Sequence, residues 1–194
     1  MLRRLDDGGF TLIELLLTTI IVGVVISAVG TGLYVGLRTT DVTSSRLAES
    51  HDAQLAAAWF VTDVQSSDSV NVSAPVLDPT CSGVTGTGLL TFKWTDQGTG
   101  TVKVASYVTQ PTSGGECPGG STCKQLVRHA CQNGAVVGND VVVAHLLDAT
   151  TPAALACTPG SCTGTPRTVS LSLTPVNTTL YAPYTVVGSR RDTQ

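Results

Sequence analysis

Charge is scarce in this chain of 194 residues: Asp, Glu, Lys and Arg together make up 13 % of it, with 11 basic and 14 acidic side chains and a net charge of −3. The basic residues are scattered, so there is no clustered positive face of the kind that holds a phosphate backbone, and nucleic acid is not an expected partner. Aromatic residues are only 5 %, which leaves few anchors for a large core. No Gly-x-Ser-x-Gly, His-Glu-x-x-His or phosphate-cradling glycine loop is present, and the three histidines, His51, His129 and His145, stand without a catalytic pattern around them. These absences argue against an enzyme and against a bound cofactor. The length suits one ordinary domain, or a small domain with an appendage.

The apolar residues, 42 % of the chain, are unevenly placed. Positions 15–37 contain no charged side chain, and extension back to Phe10 adds only Glu14. At about 1.5 Å per residue this run is long enough to cross a hydrocarbon layer about 30 Å thick. In lipid a single segment satisfies its own backbone only as a helix, and Gly23, Gly30, Gly32 and Gly36 are better tolerated there than in water. A secretory signal peptide is disfavoured, because its apolar region is about 7–15 residues and ends in a small-x-small cleavage site. Arg3 and Arg4 precede the run and favour a cytoplasmic N-terminus, with Arg38 a lone counterweight. The remainder of the chain is therefore expected outside the cytoplasm.

Glu14 is the anomaly. A carboxylate within a membrane segment costs about 2.5–3.5 kcal/mol on insertion scales, and such a residue is by default a functional site. Its neighbours, Gly8-Gly9-Phe10-Thr11-Leu12-Ile13-Glu14-Leu15-Leu16, closely resemble the class III signal of type IV prepilins and pseudopilins. The resemblance implies that a prepilin peptidase cuts after Gly9 and N-methylates Phe10. It also implies that Glu14 pairs with the freed amine of a neighbouring subunit, setting register as helices pack into a filament. Residues 1–9 would then be a leader, although Asp6 and Asp7 dilute its positive charge. The helix, lying after the cut, would be retained.

Beyond Arg38 the residues become polar, yet positions 39–68 contain neither Gly nor Pro. Ala56, Trp59, Phe60, Asp63 and Val64 recur at helical spacing, an apolar stripe interrupted at Asp63. We expect one helix over 11–67, with 10–38 in the membrane or filament core and 39–68 as an amphipathic continuation. Its weakest stretch is 39–45, poor in helix formers. Trp59 and Phe60 are expected in the core. From Val70 onward the texture is β, with strands expected over 89–95, 101–110, 125–130, 140–147, 168–175 and 185–189, a hairpin turn at 97–100, and long loops at 111–122 and 149–166. The fold class is thus α+β: a long N-terminal helix packed on an antiparallel head over 69–194, as in pilins.

The order Trp59-Phe60-Val61-Thr62-Asp63-Val64, Phe92, Ser106-Tyr107-Val108, Leu126-Val127-Arg128, Val141-Val142-Val143 loosely resembles the J-type minor pseudopilins and related large minor pilins. The resemblance implies a minor subunit, whose partners are prepilin peptidase, other pilin or pseudopilin subunits and the cytoplasmic membrane. The filament could belong to a type IV pilus, a DNA-uptake apparatus or type II secretion. Two other readings stay open: an adhesin or binding module displayed on such a filament through its long loops, or an anchored extracytoplasmic protein unrelated to filaments.

All six cysteines, Cys81, Cys117, Cys123, Cys131, Cys157 and Cys162, lie in the expected head. An even number on an oxidising side of the membrane reads as disulfides, with fifteen possible connectivities. Short bridges Cys117–Cys123 and Cys157–Cys162 would leave Cys81 with Cys131. Zinc wants cysteines two to four residues apart, usually as two pairs. Cys157-x4-Cys162 barely qualifies, Cys117-x5-Cys123 is too wide, and His129 beside Cys131 adds a single nitrogen, so no metal is expected.

Overall fold

The computed structural model describes residues 11–72, 81, 83, 85–112, 117, 122–178 and 181–191, without the side chains of 41, 42, 44 and 45. The chain divides into two units, Met1–Ser45 and Arg46–Gln194. One helix, α1 (Leu12–Ser66), supplies the described part of the first and opens the second.

In the first unit the helix is held largely by its own chemistry. Thr11 stands at its start: its carbonyl accepts from the Leu15 amide at 3.2 Å, and its Oγ1 lies 3.4 Å from the Glu14 amide. The first turn thus begins on a hydroxyl cap, with Glu14 on the side of the dipole that favours an acid. The hydroxyls of Thr18, Thr19, Ser27, Thr31, Thr39 and Thr40 each donate to a backbone carbonyl three or four residues earlier, at 2.8–2.9 Å. Polar side chains in this apolar stretch are therefore satisfied without water. The same bond from Thr43 to the Thr39 carbonyl continues the pattern into 39–45, and the helix runs through that stretch unbroken despite its poor propensity.

In the second unit α1 buries Asp52, Ala56, Phe60, Asp63 and Val64, a face that recurs every three to four residues. Phe60 joins the core as expected. Trp59 does not: it is 36 % exposed, so its expected core placement is corrected. One residue short of Phe60, it falls about 100° around the helix and has a charged side chain over its ring instead.

Nine strands follow among the described residues: β1 (Ser69–Asn71), β2 (Thr87–Thr95), β3 (Val102–Pro111), β4 (Lys124–Gln132), β5 (Ala135–Val136), β6 (Val141–Leu147), β7 (Ala153–Thr158), β8 (Thr168–Leu173) and β9 (Tyr184–Ser189). All pair antiparallel, in two sheets. The larger has the order β1-β2-β3-β4-β5, with β6 also on β4; the smaller is β7-β8-β9. Bridges Val70 to Gly164 and Leu147 to Pro175 connect them. The 97–100 turn joins β2 to β3 as expected, with the Asp96 carboxylate accepting from the amides of Gly98 and Thr99.

Three strands escaped the sequence reading. β7 lies within 149–166, expected to be loop, because its Ala-Ala-Leu-Ala-Cys-Thr run carries little β-branching and gains its strand character from the full ladder with β8. β5 follows Asn133-Gly134, both at positive φ, the two-residue signature of a tight hairpin. β1 is only three residues long, laddered to β2 and joined by the Val70 bridge to Gly164. Both sheets share one core with α1: Phe60, Val64, Leu90, Phe92, Tyr107, Leu126, Leu147, Val169, Leu171 and Leu173 are buried together. Phe60, Phe92 and Tyr107 meet edge to face, centroids 5.6–5.9 Å apart. Gly188 lets β9 approach α1; a Cβ there would sit 2.7 Å from the Val64 side chain.

Candidate functional site

The N-terminal segment and the helix face of the head are the two places where the residues singled out by sequence come together. Gly9 and Phe10 lie outside the described residues. Glu14 is exposed, in the first turn of α1, and no side chain pairs with it among the described residues. Leu12–Thr40 contains an 18-residue window of mean hydropathy 2.5 and is long and apolar enough to cross a membrane by length and composition. Its side chains are exposed all round, from Leu12 and Ile13 to Val35 and Leu37. Apolar surface of this extent is consistent with membrane anchoring.

In the head, Asp63 interrupts the apolar stripe of α1 for a reason. Its carboxylate accepts from the Tyr107 hydroxyl at 2.7 Å and, in bidentate fashion, from Arg128 Nε and Nη2 at 2.6 and 2.8 Å. Tyr107 and Arg128 face each other across β3 and β4, so one cross-strand pair holds both oxygens of a helix carboxylate. Trp59 completes the arrangement, its ring 4.4 Å from the Arg128 guanidinium carbon. All three polar groups are buried or nearly so. A buried ion pair repays its desolvation only with geometry of this quality, so the triad fixes where the helix lies on the sheet. Asp52 makes a second tie, accepting from the His145 amide at 2.7 Å and lying 3.0 Å from its Nδ1. Arg190 makes a third, donating to the carbonyls of Ser67 and Asp68 just past the C-terminus of α1, where a cation suits the dipole.

Residues 4–30 match the family described as the prokaryotic N-terminal methylation motif. The chain carries a type IV pilin-like N-terminus. The motif covers the glycine pair, Phe10 and Glu14, and implies processing by a prepilin peptidase; it stops inside the apolar half of α1, before the head begins. No curated protein and no solved structure matches the chain significantly. The pilin-like architecture, a long apolar N-terminal helix followed by antiparallel sheets, is present in full.

Behind this N-terminus the head is cross-linked three times, by Cys81–Cys131, Cys117–Cys123 and Cys157–Cys162. The last two close loops; the first, spanning 50 residues, restrains the unfolded chain most. Of the histidines, His51 is exposed, His145 meets Asp52, and His129 is buried in the larger sheet beside Cys131. The convergence of Asp63, Tyr107 and Arg128 was not read from the sequence. The signal was present: an acid on the buried face of a helix, together with an arginine inside a strand, requires a partner for each.

The tyrosines of the head predict its alkaline behaviour. Burial and then the negative charge of Asp63 push Tyr107 well above the ordinary 10.0, Arg128 opposing in part. Burial, then Asp52 and Glu49, raise Tyr184 likewise. The unfolded chain ionises these phenols near 10 while the folded chain keeps them neutral. Their contribution is therefore complete below pH about 10 and is lost as pH rises above it, for Tyr107 by about 1.4 kcal/mol per pH unit. Urea unfolding at pH about 9 to 12 is expected to show this fall, and Tyr107→Phe with Tyr184→Phe to flatten it.

Proposed function

We propose that this chain is a minor pilin or pseudopilin: a structural subunit cut after Gly9 by prepilin peptidase, N-methylated on Phe10, and assembled into a filament of type IV pilus, DNA-uptake or type II secretion kind. The observation that carries the reading is Glu14. It is exposed and without a side-chain partner among the described residues, at the head of an apolar helix, within the stretch that matches the methylation motif.

After the cut, Glu14 is the fifth residue, about one turn of helix from the new amine. The amine and the carboxylate of adjacent subunits are the two charges that an apolar filament core must pair, since an unpaired one is costly there. Before assembly the chain sits in the cytoplasmic membrane with its N-terminus inside and its head outside; Arg3 and Arg4 support that orientation, and three disulfides suit an oxidising exterior. The minor-subunit reading is supported by the Asp63, Tyr107 and Arg128 pattern, whose members lie in the elements that the J-type resemblance picks out. The function is mechanical, with other pilin subunits as partners.

The test is N-terminal and intact-mass spectrometry of the protein recovered from its native membrane. The expected chain begins at N-methylated Phe10. A chain still beginning at Met1, in cells with an active prepilin peptidase, would reduce the protein to a single-pass anchored one.

A further inference from the structure

The far face of the larger sheet holds a second polar cluster. Along β4 the side chains alternate, so Arg128 turns toward α1 while His129 and Cys131 share the opposite face. Their partners on β3 are Ser106 and Val104, and Cys81 covers them through its bond to Cys131. The Sγ atoms of Cys81 and Cys131 and a ring nitrogen of His129 lie within 4.8 Å of one another, and all three residues are buried. His129 is 3 % exposed, and its Nε2 has no hydrogen-bond partner among the described residues. Its Nδ1 is held by the Asp140 carboxylate. A carboxylate only accepts, so Nδ1 carries the proton, and in the neutral ring Nε2 would keep a free lone pair in a buried position beside two sulfurs.

We propose that in the reduced chain Cys81, His129 and Cys131 bind a single zinc ion, which staples the Cys81 segment to β4 until the Cys81–Cys131 disulfide takes its place. Two thiolates and one neutral imidazole are an ordinary zinc donor set, with a water left for the fourth position. The carboxylate on the far ring nitrogen is the outer partner that orients a metal-binding histidine. Two thiolates also cancel the charge of the ion, which a buried site requires. With Zn–S bonds of about 2.3 Å, tetrahedral sulfurs stand about 3.8 Å apart, so the two sulfurs separate on reduction, within the span of the cluster.

The exchange balances. Binding of Zn2+ to the reduced site releases the two thiol protons. Closing the disulfide breaks both Zn–S bonds and forms the S–S bond. It passes two electrons to a disulfide-bearing oxidant, which takes two protons from solvent and leaves as a dithiol, and the ion departs.

The experiment uses the full chain in detergent micelles, carrying C117S, C123S, C157S and C162S, reduced with a phosphine and titrated with Co2+ and then Zn2+. The expected result is a single Co2+ with thiolate-to-cobalt charge-transfer bands, displaced by Zn2+. Asp140→Asn, which leaves every ligand in place, is expected to weaken binding about 10- to 100-fold, and His129→Gln at least as much. Absence of the thiolate band, or equal affinity in parent and His129→Gln, would overturn the proposal. The same comparison in the fully reduced native chain, read as the affinity of its tightest-bound zinc, decides the matter should the serine variant misfold.

Discussion

Replacing Asp63 with alanine is expected to cost the head about 3–5 kcal/mol. The substitution leaves the Arg128 guanidinium, whose side chain is only 11 % exposed, without the carboxylate that held both its donors, and strands the Tyr107 hydroxyl. Removing one partner of a buried pair leaves an uncompensated charge, and that is where the cost arises. The pair itself is worth far less than its loss suggests. Asp63→Leu combined with Arg128→Met is therefore expected to recover part of the stability, since the two apolar groups need no partner and only the buried Tyr107 hydroxyl is left without one. Urea unfolding of the single and double variants in detergent, followed by tryptophan fluorescence, measures both; Trp59 against Arg128 is a local reporter. A loss below about 1 kcal/mol in Asp63→Ala would show that water reaches Arg128 and that the triad is not a buried lock.

The second large effect concerns assembly. Glu14→Ala removes the one charge within the apolar run without altering Gly9 or Phe10. The helix start should survive, because Thr11 supplies the cap through its own hydroxyl and carbonyl. Processing is expected to be normal. Incorporation into filaments is expected to fall by about tenfold or more, since 1.4 kcal/mol in a subunit contact already corresponds to tenfold and an unpaired amine in an apolar core costs more than that. Comparing the mature chain in sheared filaments with that in membranes gives the ratio. Incorporation equal to the parent would remove Glu14 from the assembly mechanism and leave the apolar helix to act alone.

The two experiments separate the two halves of the chain. Asp63→Ala acts on the head and leaves the motif of residues 4–30 untouched. Glu14→Ala acts on the motif and leaves every contact of the head in place. Unchanged head stability in Glu14→Ala, measured by the same unfolding, is the control that makes an assembly defect interpretable.

What the sequence determined by itself is what depends on near neighbours. Hydropathy over consecutive residues marked the apolar helix, a dozen adjacent residues marked the N-terminal signal, and helical spacing placed Ala56, Phe60 and Val64 on a buried face. Turn residues at 97–100 and runs of β-branched side chains located six of the strands to within about two residues at either end.

What only the tertiary structure decided involves residues far apart along the chain. β7 owes its strand character to β8 more than to its own alanines, and the division of the strands into two sheets depends on which ladder each one joins. Trp59 left the core because Arg128, from a strand 69 positions away, offered its ring a charge to cover. Asp63 was legible only as an interruption until Tyr107 and Arg128 met it, and His129 only as a stray histidine until Cys81 arrived from 48 positions earlier. Periodicity reports which face of an element is buried, because that repeats locally. It is silent on which buried polar group meets which, because a hydrogen bond or a disulfide is set by three-dimensional proximity and leaves no repeat in the chain.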